Sequence, residues 1–264
     1  MKRAYADTSF GQIHLRRLAA REERAPPLVC LHPAPYSGLY FTTLAPKLNA
    51  GRAVIAPDYP GYGLSDAPQG RPTIADYAAA MLEVVGGAGP CDVLGFHTGC
   101  LVAAEMALQD PAAIRKLILV DIPLFPPAER PGLRDRMARG IALTAELDCL
   151  AAAWDFSVAK RSDVIGLDRA YALFIEQARP GGRAGDAFNA AFSYAPEDRF
   201  PEIARPVAVI ATQSGLLAGT REAAALTPGA YLIERLDVTG AVMEAGADAI
   251  AEEAEAFLNA ADAD

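Results

Sequence analysis

Short, uninterrupted apolar runs, separated by longer stretches of helical periodicity, restrict this chain more than any other feature. Extended segments are expected at Gln12–Leu18, Pro27–Leu31, Ala53–Pro57, Cys91–Phe96, Leu117–Asp121, Val207–Thr212 and Tyr231–Glu234. Four of them are continuous and rich in Val, Ile and Leu, the pattern of strands buried on both faces of a parallel sheet. Helical spacing fills Leu39–Leu48, Ile74–Val85, Gly99–Gln109, Arg221–Leu226 and Ala247–Ala261. This alternation predicts an α/β fold: a doubly wound, mainly parallel sheet with helices on both faces.

Residues 122–206 break the alternation. The gap is too long for a structureless connection, and it carries helical patterns at Leu133–Asp148, Ala151–Ala159, Leu167–Gln177 and Asp186–Phe192. Pro123, Pro126, Pro127 and Pro131 mark its entry. Arg205-Pro206 marks its exit, because a residue before Pro is pushed out of helical geometry. The expected organisation is a core of residues 1–121 and 207–264 with a helical cap, 122–206, inserted into it. The cap holds many of the aromatics, and Trp154 is expected to reach a pocket. Pro180–Gly185 is expected to form a mobile turn.

The chain has 264 residues, with 33 acidic against 24 basic side chains and a net charge of −9. An excess of acid speaks against nucleic acid, whose recognition needs clustered Lys and Arg, and against an acidic membrane surface. No apolar run approaches the ~20 residues of a membrane span. Met1–Asp7 begins with charge but has no apolar core behind it, so no signal peptide is expected. Cys30, Cys91, Cys100 and Cys149 fit neither a zinc ribbon nor a CxxC pair. They read as buried thiols of a cytoplasmic protein. Asp163, Asp168, Asp186 and Asp198 have no His near them in sequence, so neither a metal nor another cofactor is implied.

The site signal is Val93-Leu94-Gly95-Phe96-His97-Thr98-Gly99-Cys100-Leu101. It runs from an apolar strand directly into a helix, with Gly95 and Gly99 flanking the turn. This is the layout of the strand–elbow–helix turn G-x-S-x-G, where glycines let the two backbones approach and the central side chain is lifted over the sheet. On these residues, on Leu31-His32-Pro33-Ala34-Pro35-Tyr36-Ser37-Gly38 and on Asp58-Tyr59-Pro60-Gly61-Tyr62-Gly63-Leu64-Ser65-Asp66, the chain resembles the α/β-hydrolase superfamily, over nearly its whole length.

The resemblance implies a triad at three places, and the chain departs from it at each. His97 stands at the elbow. Gln213-Ser214-Gly215 follows Val207–Thr212, where the acid is expected. Ala241 stands where the late His is expected, and no His follows residue 97. An ordinary Ser mechanism is therefore not expected, since no Ser sits on the elbow and no distal His can activate one. The resemblance also implies an oxyanion site of two backbone N–H groups, those of Ala34 and Thr98. His97 would lie at a helix N-terminus, which disfavours imidazolium. It would act as acid or base, with Asp121 as its orienting partner. Tyr36, Ser37, Gln213 and Ser214 fall at the same sheet edge, where open α/β sheets bind ligands. His32 reads as a brace behind the oxyanion loop, His14 as a strand residue and Asp58 as a turn former.

Three functions stay open at this point. The first is a cofactor-independent enzyme using His97, acting on a small carbonyl or ester-type molecule by hydrolase, lyase or isomerase chemistry. The second is a pseudo-hydrolase that binds a ligand without turning it over. The third is a scaffold whose cap docks a protein. Oligomeric state is not readable from the sequence.

Overall fold

The structure is a computed structural model and describes residues 1–86 and 89–260. Eight strands form one sheet: β1 (Lys2–Thr8), β2 (Gly11–Leu18), β3 (Leu28–Leu31), β4 (Val54–Pro57), β5 (Cys91–Phe96), β6 (Ile114–Val120), β7 (Val207–Thr212) and β8 (Tyr231–Arg235). Their order is β1-β2-β4-β3-β5-β6-β7-β8. All pairings from β4 to β8 are parallel, while β1–β2 and β2–β4 are antiparallel. The expected mainly parallel α/β architecture is thus present.

Helices α1 (Ala45–Leu48), α2 (Ile74–Val85) and α3 (Thr98–Gln109) alternate with the earlier strands. Residues between β6 and β7 supply α4 (Arg130–Met137), α5 (Ala151–Trp154), α6 (Ser162–Ile165), α7 (Leu167–Ala178), α8 (Asp186–Ser193) and α9 (Pro196–Arg199). After β7 come α10 (Leu217–Leu226) and α11 (Ala247–Asn259). Ala261, the last residue of the expected final helix, lies outside the described residues.

Central strands β3, β5 and β7 are buried at every position. Helix α3 is apolar nearly all round and buried along almost its whole length, as a helix packed on several sides must be. Helix α2 starts at a capping box, in which Thr73 and Asp76 satisfy each other's backbone N–H groups.

Three differences from expectation have structural causes. Strand β1 has no apolar signal because it is an exposed edge strand, paired along its whole length with β2. The expected helix Leu133–Asp148 ends at Met137. Gly140 takes φ +68° and packs so closely on Gly182 that a Cβ would lie 2.3 Å from that carbonyl oxygen. Ile141 N–H then donates to Gly181 O at 3.0 Å, in place of a helical bond. Expected as a mobile turn, Pro180–Gly185 contains a 3-10 turn, and its Arg183 donates to the carbonyls of Pro68 and Gly70.

Segment 122–206 is tied to the sheet unit by half-buried polar contacts. Glu105 of α3 accepts from Tyr194 Oη at 2.9 Å and from Arg199 at 3.2 Å. Arg169 of α7 donates to Glu244, ahead of α11.

Candidate active site

The turn from β5 into α3 is forced by close contact. A Cβ on Gly95 would lie 2.4 Å from Gly99 O, and one on Gly99 would lie 2.1 Å from Leu31 O. Any side chain at either place would separate strand from helix. Between them His97 adopts φ 50°, ψ −118°, outside the allowed regions for a residue with a Cβ, and its ring packs against that of Phe96, 4.0 Å between centres and tilted by 42°. Such a conformation costs about 1–3 kcal/mol and persists only where the surroundings impose it. Here they do so through the helix start, where Cys100 N–H donates to His97 O, and through the sheet, where His97 N–H donates to Val120 O.

His97 faces a cavity of about 610 Å³ that lies between the sheet edge and segment 122–206. Its walls are largely apolar, with Phe125, Phe156, Phe188 and Phe192 contributed by the inserted segment. Ala34 and Thr98 both line it. Among the described residues neither their N–H groups nor the His97 ring has a hydrogen-bond partner in the protein. Ala241, at φ 45°, also lines the wall.

Burial pushes the His97 imidazole down to about 4, while the Asp121 carboxylate opposes that shift. The ring is therefore neutral near pH 7. Burial, not the helix end expected from the sequence, dominates this shift.

The loop carrying Ala34 is braced from behind. His32 Nε2 accepts from Tyr59 N–H at 3.1 Å and its Nδ1 donates to Pro33 O at 3.0 Å, which fixes a neutral tautomer. Burial pushes His32 down to about 4 as well. Asp58 accepts from Gly38 N–H, Leu64 N–H and His14 Nδ1 at 2.8–2.9 Å, pinning both loops together. These placements agree with the bracing, turn and strand readings of His32, Asp58 and His14.

The structure gathers some of the expected site residues and leaves others apart. His97, Ala34, Thr98, Tyr36, Asp121 and Ser214 line one cavity. Asp121 does not orient His97 through a hydrogen bond: its two oxygens accept from Thr212 N–H at 2.9 Å and Thr212 Oγ1 at 2.6 Å. Its influence on His97 is that of a nearby charge. Ser37 is fully buried and caps the 3-10 turn Gly38–Phe41, accepting from Leu39 N–H. Gln213 is exposed, and its N–H donates to Val238 O. Trp154 is 43% exposed, packs on Tyr171 and Phe174, and does not line the cavity.

Sequence reasoning missed a polar group on the cavity wall. Arg161 donates to Tyr36 Oη at 3.3 Å and to Tyr40 Oη at 3.1 Å. Tyr36 Oη also meets Ser157 Oγ at 3.2 Å, and Ser157 donates to Gln177. Ser157 lies on a π-helical turn, Asp155–Ala159, a geometry frequent at functional sites.

No helix among the described residues is long and apolar enough to cross a membrane. Nor do they contain a group of three or more His, Cys, Asp or Glu able to hold a metal ion.

Comparison with known proteins agrees with this architecture. The model of the alpha/beta hydrolase fold family matches residues 26–218, and the chain belongs to that family. A pimeloyl-[acyl-carrier protein] methyl ester esterase of Neisseria meningitidis serogroup C is 39% identical over 83 residues, 30% of this chain and 30% of the esterase. The AB hydrolase superfamily protein YfhM of Bacillus subtilis is 35% identical over 132 residues, 47% of this chain and 44% of YfhM. The matches span less than half the length of these curated relatives. Among solved structures, the enol-lactonase from Burkholderia xenovorans LB400 superposes with a TM-score of 0.79 at 22% identity, covering 97% of this chain and 100% of that one. That likeness shows the fold.

Proposed function

We propose that this chain is a cofactor-independent enzyme of the α/β-hydrolase fold that acts on a small, largely apolar ester, lactone or related carbonyl compound. His97 is its acid and base, the Ala34 and Thr98 N–H groups are its oxyanion site, and residues 122–206 are its cap. The observation that carries this reading is the strained His97 facing a cavity that two unpaired N–H groups share. A pocket freed from chemistry needs neither strain nor donors. The names of relatives as esterases and an enol-lactonase support ester or lactone hydrolysis.

In this reading the family triad is degenerate, with His97 at the elbow and Ala241 in place of the late His. A water oxygen bonds to the substrate carbonyl carbon while His97 takes its proton. The carbonyl π pair moves onto oxygen, where the two N–H groups hold the charge. When the oxyanion collapses, the bond to the leaving oxygen breaks and His97 returns the proton to that oxygen. Asp121, close enough to favour imidazolium, stabilises the charged interval. The four cysteines are unpaired and three are buried, which suits a reducing cytoplasm.

The test is hydrolysis of p-nitrophenyl acyl esters and aliphatic lactones by the wild type and His97→Gln. Loss of an acid–base group is expected to lower kcat/KM by about 100-fold or more, with the melting temperature kept. Unchanged turnover rejects the role of His97. Tight binding without any turnover by the wild type would instead support the ligand-binding alternative. Exposed Leu143, Leu147, Val164 and Leu167 favour, as a second reading, a docking surface on the cap. In that case neither turnover nor ligand binding would be found.

A further inference from the structure

Among the described residues Arg161 is the one Arg or Lys on the cavity wall, and the oxyester reading above assigns it no task. It sits in segment 122–206, half-buried, across from the sheet edge. Among the described residues no carboxylate lies within ion-pair distance of it, in a chain with 33 acidic side chains. Its partners are instead two phenol oxygens, Tyr36 Oη and Tyr40 Oη, with the guanidinium 5.9 Å from the Tyr40 ring centre. Those contacts hold the planar fork in one orientation without neutralising it. The half-buried guanidinium feels Glu244 only as a more distant charge, so a carboxylate entering the cavity would be its first short-range charged partner. A rigid guanidinium matches a carboxylate in both charge and shape.

Two further features fit a ligand-facing role. Tyr36 lies in the loop that carries Ala34, so the hydroxyl that positions Arg161 belongs to the same loop as the expected oxyanion donor. The Ser157–Gln177 pair steadies Tyr36 from the cap side.

We propose that Arg161 binds a free carboxylate on the substrate, so that the substrate class is a small acid bearing an ester, lactone or comparable carbonyl at its other end. This rests on the cavity being the substrate site, as proposed above, but not on the chemistry assigned to His97.

Isothermal titration of the full chain with hexanoate and with its neutral isostere hexanamide tests it. The wild type is expected to bind hexanoate at least about tenfold more tightly. Arg161→Met is expected to lower hexanoate affinity to that of hexanamide and to leave hexanamide affinity unchanged. Arg161→Lys, which keeps charge but loses the fork, is expected to retain part of the preference and covers the case in which Arg161→Met does not fold. Equal binding of the two compounds, binding of neither, or a preference that survives Arg161→Met would overturn the proposal. Because the readout is binding, a His97→Gln variant that loses turnover yet keeps the preference for hexanoate separates this proposal from the catalytic one.

Discussion

The ionisation of His97 offers the sharpest test of the site's physical description. Burial lowers its pKa from 6.5 to about 4, against the opposing pull of the Asp121 carboxylate. That drop amounts to about 3 kcal/mol against the imidazolium form. At pH 6 an imidazole with a pKa of about 4 is about 99% neutral, whereas an ordinary one is about 24% neutral. If neutral His97 is the base in the free enzyme, kcat/KM should be flat from pH 8 to about 5.5 and should fall about tenfold per pH unit well below 4. An unperturbed imidazole would already cost about fourfold at pH 6. The perturbation is Asp121→Asn, which removes the charge and keeps a side chain tolerant of the left-handed backbone at φ 52°. It should move the midpoint further down. The assay is a ring-nitrogen NMR titration, tractable because the chain has three histidines, run beside the pH–rate profile. A His97 midpoint near 6.5, or an upward move in Asp121→Asn, would refute the electrostatic account.

Three other outcomes are expected. His32 is fully buried and neutral, with a pKa of about 4 in the fold against 6.5 when unfolded. Its stabilising contribution is complete above pH 6.5 and is lost as pH falls towards 4. Urea unfolding at pH 4.5 should therefore show about 2.5 kcal/mol less stability from His32 than at pH 7.5, a difference that His32→Gln should abolish. Gly99→Ala would set a Cβ 2.1 Å from Leu31 O, so chemical denaturation should show a loss of about 3 kcal/mol or more; a loss below about 1 kcal/mol would mean that the elbow yields. Asp92→Ala would remove the nearer of two carboxylates, at 2.9 Å against 3.8 Å for Glu255, from Arg52, a guanidinium only 1% exposed, and would also take Asp92 from Arg115. The expected cost is about 3 kcal/mol, and a melting temperature equal to that of the wild type would contradict it.

The central strands, the elbow and its two glycines were legible in the sequence because their causes are local. Continuous Val, Ile and Leu can be satisfied only by burial on both faces, and Gly95 and Gly99 stand four residues apart in the chain because they flank a single turn. Strand β1 was not legible, since an edge strand needs no apolar alternation when its ladder with β2 holds it. Nor was the end of α4, which depends on a turn more than forty positions further along, at Gly181 and Gly182. Trp154 was assigned to a pocket on residue type alone, and type does not say which way a helix faces.

Residue order by itself determined the α/β alternation, the position of the helical segment between β6 and β7 and the tight strand-to-helix turn that carries His97. Tertiary structure alone decided that Asp121 gives its oxygens to Thr212 rather than to His97. It also decided that Arg161 meets Tyr36 and Tyr40, more than a hundred residues earlier, at the wall of one cavity. Periodicity and turn chemistry act over a few residues and leave a trace in the sequence. Contacts between the sheet edge and the segment above it arise only when both have folded, and no local pattern encodes them.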